Sequence, residues 1–123
     1  MVLPQWQFVA LLAVHWVADF VLQSHWMSVS KSKRIDALAL HVATYTGALL
    51  VESGLILGVR QIAQLLLFVG VNGFLHFATD FVTSRITSRL WQQQREHDFF
   101  VVVGLDQLIH QVTLAATLWF IFR

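Results

Sequence analysis

The sequence predicts an all-α, polytopic integral membrane protein: one domain over residues 1–123 holding four transmembrane helices. Three observations predict it. Of 123 residues, 57% are hydrophobic and only 12% charged, where a soluble domain has about 45–50% and about 25%. Four apolar stretches are each long enough for a membrane helix, which needs about 20 residues. The basic residues fall almost entirely between those stretches. This composition excludes a disordered tail or a coiled coil. The net charge of +1 gives no basic field for nucleic acid, and with no cysteine there is no disulfide or thiolate chemistry.

The first span is expected from about Trp6 to Leu22, preceded by Pro4, which a helix start tolerates. His15 and Asp19 lie inside it and argue against a cleaved signal peptide. The second span is expected over 37–58, the third over 62–82 and the fourth over 101–122. None alternates in the manner of a barrel strand. Lys31, Lys33 and Arg34 follow the first span, and Arg85, Arg89 and Arg95 follow the third. Arg60 and Arg123 are the two basic residues on the other side. The positive-inside rule therefore puts both long links in the cytoplasm and both termini outside. Trp6, Trp26, Trp91 and Trp119 fall near span ends, as an interfacial aromatic belt does.

Four of the seven acidic residues lie within the spans, and three have a histidine four positions away: His15/Asp19, His76/Asp80 and Asp106/His110. Each pair shares one helix face, one turn apart. An Asp at a helix centre costs about 2.5–3.5 kcal/mol on insertion scales, so such groups face the bundle interior and are paired. His41, early in the second span, adds a fourth imidazole. Counted from the cytoplasmic span ends, all seven groups lie within about 14 Å, in one leaflet. The fourth acid, Glu52, lies further out, and pairing with Arg60 two turns on is expected.

Four imidazoles and three carboxylates point to a divalent metal, with zinc expected and manganese or magnesium as alternatives. One tetrahedral zinc takes four protein ligands at most. The pool of His15, Asp19, His41, His76, Asp80, Asp106 and His110 therefore fits two ions, or one ion with supporting partners. A buried polar network that only joins helices is the competing explanation. Gln23 and Lys31 are expected at the cytoplasmic mouth, where an anionic headgroup could meet them. Asn72 and Gln107 are expected to support ligands. Asp19, Asp80 and Asp106 are the candidate catalytic groups, without an assignment among them.

An internal repeat is visible. His-Trp-Val-Ala-Asp-Phe at 15–20 matches His-Phe-Ala-Thr-Asp-Phe at 76–81, an offset of 61 residues. It suggests two parallel helical hairpins, 1–61 and 62–123, each giving half of a shared site. The second helices match less well, since Asp106 and His110 have no same-face counterpart around His41.

The motif set resembles that of the DUF3307 family, membrane proteins of bacteria and phages with no settled activity. Its pattern runs His-x-x-x-Asp-Phe-x-x-Gln, a Trp and a Lys, a His, His-x-x-x-Asp, then Asp-Gln-x-x-His. The matching residues here are His15, Asp19, Phe20, Gln23, Trp26, Lys31, His41, His76, Asp80, Asp106, Gln107 and His110. The resemblance covers nearly the whole chain. One departure is Arg85, where a Lys soon after the third motif is expected. The resemblance implies a multi-pass protein of the bacterial inner membrane. A looser similarity to membrane metal-dependent hydrolases implies hydrolysis, by analogy alone.

Together these readings favour a metal-dependent hydrolase acting on a phosphoester or pyrophosphate at the membrane, with a lipid headgroup as one candidate substrate. An ion or proton transporter using the same cluster is the first alternative. A non-catalytic oligomeric module is the second. Expected partners are membrane lipids and further copies of the chain, not nucleic acid.

Overall fold

The computed structural model describes residues 4–58 and 61–123. Among them every regular element is helical: α1 (Gln5–Trp16), a π-helical turn (Val17–Val21), α2 (His25–Ser30), α3 (Ile35–Leu57), α4 (Ile62–Gln92) and α5 (Glu96–Phe122). Arg60 lies outside the described residues, so its expected pairing with Glu52 does too.

Three helices are long and apolar enough to cross a membrane: α3 with 23 residues, α4 with 31 and α5 with 27. They suggest a membrane protein. The expected first span differs. Its regular α-helix stops after 12 residues and passes into a five-residue π-turn, so it falls short of the length of the other three. The cause is local: the Leu22 amide bonds the Val17 carbonyl at 3.0 Å, one residue further back than an α-helix allows.

The link after it also has structure. Ser24 caps α2 by accepting the Met27 amide at 3.2 Å. Arg34 then grips Asp36 with both its Nε and Nη2 at the start of α3. Between the third and fourth spans the expected long link shrinks to residues 93–95. Helix α4 continues ten residues past the expected end, and α5 begins at Glu96 rather than near Val101. At 1.5 Å per residue α4 is about 46 Å long, against about 30 Å of hydrocarbon. Arg85 and Arg89 thus sit on a helical overhang. The Arg85 guanidinium covers the Phe81 ring at 3.7 Å and donates to the Phe81 carbonyl at 2.7 Å.

The radial distribution is inverted relative to a soluble bundle. Leu55 is 82% exposed and Phe74 71%, while His41, His76 and Asp80 are at most 1% exposed. Leu11, Tyr45, Leu49, Leu65, Phe68, Leu114, Leu118 and Phe122 form the apolar core. That core fills the bundle on the side of the polar cluster nearer the ends of α3 and α5. Helix α4 is central, packing along α3 on one side and α5 on the other.

Close approach of α3 and α4 rests on Gly73. A Cβ built there would stand 2.6 Å from Thr46 Oγ1, which is itself tied to the Val42 carbonyl at 2.7 Å. Gly73→Ala should therefore destabilise the bundle by about 1–3 kcal/mol. Thr46→Ala in the same chain should restore much of the loss, because it removes both nearest atoms. The midpoint of denaturant unfolding in detergent checks this. Equal stability of Gly73→Ala and wild type would show that the approach is not tight.

Candidate metal centre

Histidines and carboxylates meet because four helical segments each bring one turn to the same level. In α1 and the π-turn, His15 and Asp19 stand 3.7 Å apart; in α4, His76 and Asp80 stand 3.6 Å apart; in α5, Asp106 and His110 stand 3.4 Å apart. His41 comes from α3. The π-turn carries Asp19 itself, which is 4% exposed although its neighbours Phe20 and Val21 face outward. A widened turn of this kind re-aims one side chain and is frequent at functional sites.

The closest group is Asp19, His41, His76 and Asp80, all buried. His41 Nε2 lies 3.1 Å from His76 Nε2, 3.1 Å from Asp19 Oδ1 and 3.2 Å from Asp80 Oδ2. His76 Nε2 lies 3.4 Å from Asp19 Oδ1 and 3.6 Å from Asp80 Oδ2. Four donors about 2.0–2.1 Å from one tetrahedral ion stand about 3.3 Å from each other. The five separations bracket that value. The Nδ1 atoms of His41 and His76 have no hydrogen-bond partner among the described residues. No described residue therefore holds a proton on either Nδ1, and both Nε2 atoms turn toward the carboxylates.

A second group, Asp19, Asp106 and His110, lies beside the first. Thr83 donates to Asp106 Oδ1 at 2.6 Å, orienting that carboxylate. His110 Nε2 also lies 3.1 Å from Asp80 Oδ1.

His15 is in neither group. Its Nδ1 is 3.0 Å from the Tyr45 hydroxyl and its Nε2 is 3.2 Å from Gln107 Oε1. The amide oxygen can only accept, so Nε2 carries the proton and Tyr45 donates to Nδ1. Gln107 Nε2 then donates to Asp19 Oδ2 at 3.0 Å and to Asp106 Oδ2 at 3.1 Å. The result is one directed chain, Tyr45 to His15 to Gln107 to the carboxylates. His15 orients the cluster through Gln107.

The remaining expected residues divide. Lys31 reaches from the α2–α3 link to donate to Asp80 Oδ2 at 2.8 Å. Gln23 lines the cavity above the cluster, as do Lys31, Asp80 and Asp106. Asn72 does not join them: it donates to the Phe68 carbonyl at 2.9 Å and to Thr117 Oγ1 at 2.7 Å, tying α4 to α5. The interpretation of Asn72 as a ligand support is corrected accordingly.

Two residues escaped the sequence reading. Tyr45 stacks on His76 with ring centroids 3.9 Å apart and planes 7° from parallel, opposite His110, whose ring lies 4.2 Å from that of His76. Thr83 holds Asp106. Both carried a legible signal: Tyr45 follows His41 by one turn, and Thr83 follows Asp80 by three residues.

The chain belongs to the family described as protein of unknown function (DUF3307), which matches residues 7–123. No curated protein and no solved structure matches it.

Tyr45→Phe should keep the stack on His76 and lose only the donor to His15, costing about 0.5–1.5 kcal/mol. Tyr45→Ala should cost about 3–5 kcal/mol by opening the packed stack. Unfolding midpoints of the two variants in one detergent measure the difference. Equal losses would show that the hydroxyl, not the ring, is what matters.

Proposed function

We propose that this DUF3307 chain is an intramembrane metal-dependent hydrolase, acting on a phosphoester or pyrophosphate at the cytoplasmic face of a bacterial inner membrane. The single observation that carries the proposal is the Asp19, His41, His76 and Asp80 group, whose donor separations match those around a tetrahedral ion. Zinc suits that mixed nitrogen and oxygen set best, with manganese or magnesium as alternatives. A divalent ion at the cluster would supply Lewis acidity toward a phosphoryl oxygen and a nucleophilic water at neutral pH.

The cavity beside the group supports a phosphate-bearing amphiphile. It measures about 210 Å³, with Lys31, Ser28 and Gln23 giving a polar, cationic wall and Phe20, Phe99 and Val103 an apolar one. Lys31 can neutralise an entering anion while it holds Asp80. Asp106 completes the polar wall.

In this proposal the helix of α1 and its π-turn also reaches across the hydrocarbon, giving four crossings. The basic residues of the α2–α3 link and of the α4–α5 overhang then lie in the cytoplasm, and both termini outside. Transport is the weaker reading, because Leu49, Leu65, Phe68, Leu114 and Phe122 pack into an apolar core beyond the cluster. A metal site is favoured over a purely structural polar network by the convergence of two imidazole nitrogens and two carboxylates on one point, at separations that suit one ion's ligands.

The purified protein should contain at least one divalent ion per chain by elemental analysis. His76→Ala and Asp80→Asn should each weaken its binding by more than about 100-fold, since even outer partners of metal ligands cost about 10–100-fold. Helical circular dichroism should persist in both. In vesicles, hydrolysis of a lipid phosphoester should stop with chelator and return with metal. A metal-free wild type after growth and purification in zinc and manganese would sink the proposal.

A further inference from the structure

We infer that the centre is dinuclear, with Asp19, the residue common to both groups, bridging two ions through its two oxygens. The inference rests on the metal-dependent reading above and adds a second site to it. The first ion would be held by Asp19, Asp80, His41 and His76, the buried group described above.

The remaining oxygen of each aspartate faces a different set of donors. Asp80 Oδ1 lies 3.1 Å from His110 Nε2. Asp19 Oδ2 lies on the side of Asp106 and His110, and ligand atoms of these three residues all fall within 4.8 Å of one another. Asp106 Oδ2 is 3.4 Å from His110 Nε2. The Gln107 amide nitrogen sits between Asp19 Oδ2 and Asp106 Oδ2, at 3.0 and 3.1 Å. A hydrogen-bond donor there stands where a cation would satisfy the same two oxygens. Two-metal hydrolytic sites hold their ions about 3.5–4 Å apart, a spacing that a carboxylate spans with its two oxygens.

Charge ties the second ion to the substrate. Asp19, Asp80 and Asp106 bring three negative charges, and Lys31 Nζ beside Asp80 brings one positive. With neutral imidazoles, a single divalent ion leaves the cluster with no net charge. A second makes it dicationic, complementary to a phosphate. The second site also differs in access. His41 is fully buried, whereas the Asp106 side chain is 14% exposed and borders the cavity. The first group is thus enclosed, while an ion in the second would face the cavity that substrate enters.

Titration with Mn²⁺ tests this without an activity assay. Wild type should bind two Mn²⁺ per chain and show the multiline electron paramagnetic resonance signal of an exchange-coupled pair. Asp106→Asn, which keeps side-chain size, and His110→Ala should bind one and give an isolated Mn²⁺ spectrum, with circular dichroism unchanged. One ion in wild type, insensitive to Asp106→Asn, would overturn the second site and leave the hydrolase proposal standing. Two ions without exchange coupling would overturn the bridging. No ion at all would overturn both.

Discussion

Burial of two carboxylates, Asp19 and Asp80, beside a third, Asp106, that borders the cavity is the constraint on which the remaining structure depends. An ionised carboxylate moved out of water loses several kcal/mol of effective solvation, and Coulomb attraction repays this only with close, well-directed partners. Asp80 is about as deeply buried as its partners and meets His41, His76, His110 and Lys31 at once. Asp19 meets two histidines and Gln107. Every helix therefore has to deliver a polar side chain to one level, and the fold can be understood as the means of doing so.

The means differ from helix to helix. In α1 the chain abandons α-helical spacing and widens to a π-turn where Asp19 turns inward. Between α3 and α4 the device is subtraction: Gly73 removes a side chain so that the two backbones approach, and His41 and His76 face each other across that approach. For α5 it is an added hydrogen bond, Thr83 to Asp106, reaching across from α4. On the link side, Lys31 reaches the cluster because α2 is a short capped helix that turns the chain back over the bundle. Apolar packing alone would not select among these geometries, since lipid tails are as apolar as leucine. The buried charges do.

Much of this was legible in the residues. The apolar stretches and the one-turn spacing of His15/Asp19, His76/Asp80 and Asp106/His110 located the helices and the polar level. Three features were not. Hydropathy marks where lipid is tolerated, not where hydrogen bonding ends, so it gave no sign that α4 runs on to Gln92 through Arg85 and Arg89. The π-turn leaves no pattern in composition, because it shifts one hydrogen bond without changing residue type. Roles within the histidine set were also hidden. His15 and His41 look alike in sequence, yet His15 has both ring nitrogens occupied by Tyr45 and Gln107, while His41 has a nitrogen facing His76 and two carboxylates. Only the neighbours from other helices distinguish an orienting imidazole from a donor.

Those same neighbours bear on the repeat. Sequence alignment of the halves pairs His15 with His76 and Asp19 with Asp80 at an offset of 61 residues, but finds no match for His110 around His41. In space the match exists under another rule. His41 Nε2 lies 3.1 Å from Asp19 Oδ1, and His110 Nε2 lies 3.1 Å from Asp80 Oδ1. In each half the second long helix thus gives one imidazole to the aspartate of the first. The halves also cross: His41 reaches Asp80 at 3.2 Å and His76 reaches Asp19 at 3.4 Å. This supports two hairpins whose aspartates are shared. A hairpin alone would leave each aspartate without the imidazole that the other half supplies, His76 for Asp19 and His41 for Asp80, which the desolvation cost makes unfavourable. Joining two hairpins in one chain removes that problem and leaves the second helices free to differ: α5 carries Asp106 and Gln107, while α3 carries Tyr45 one turn from His41. The asymmetry follows from that freedom, giving one closed face of the cluster and one that opens to the cavity.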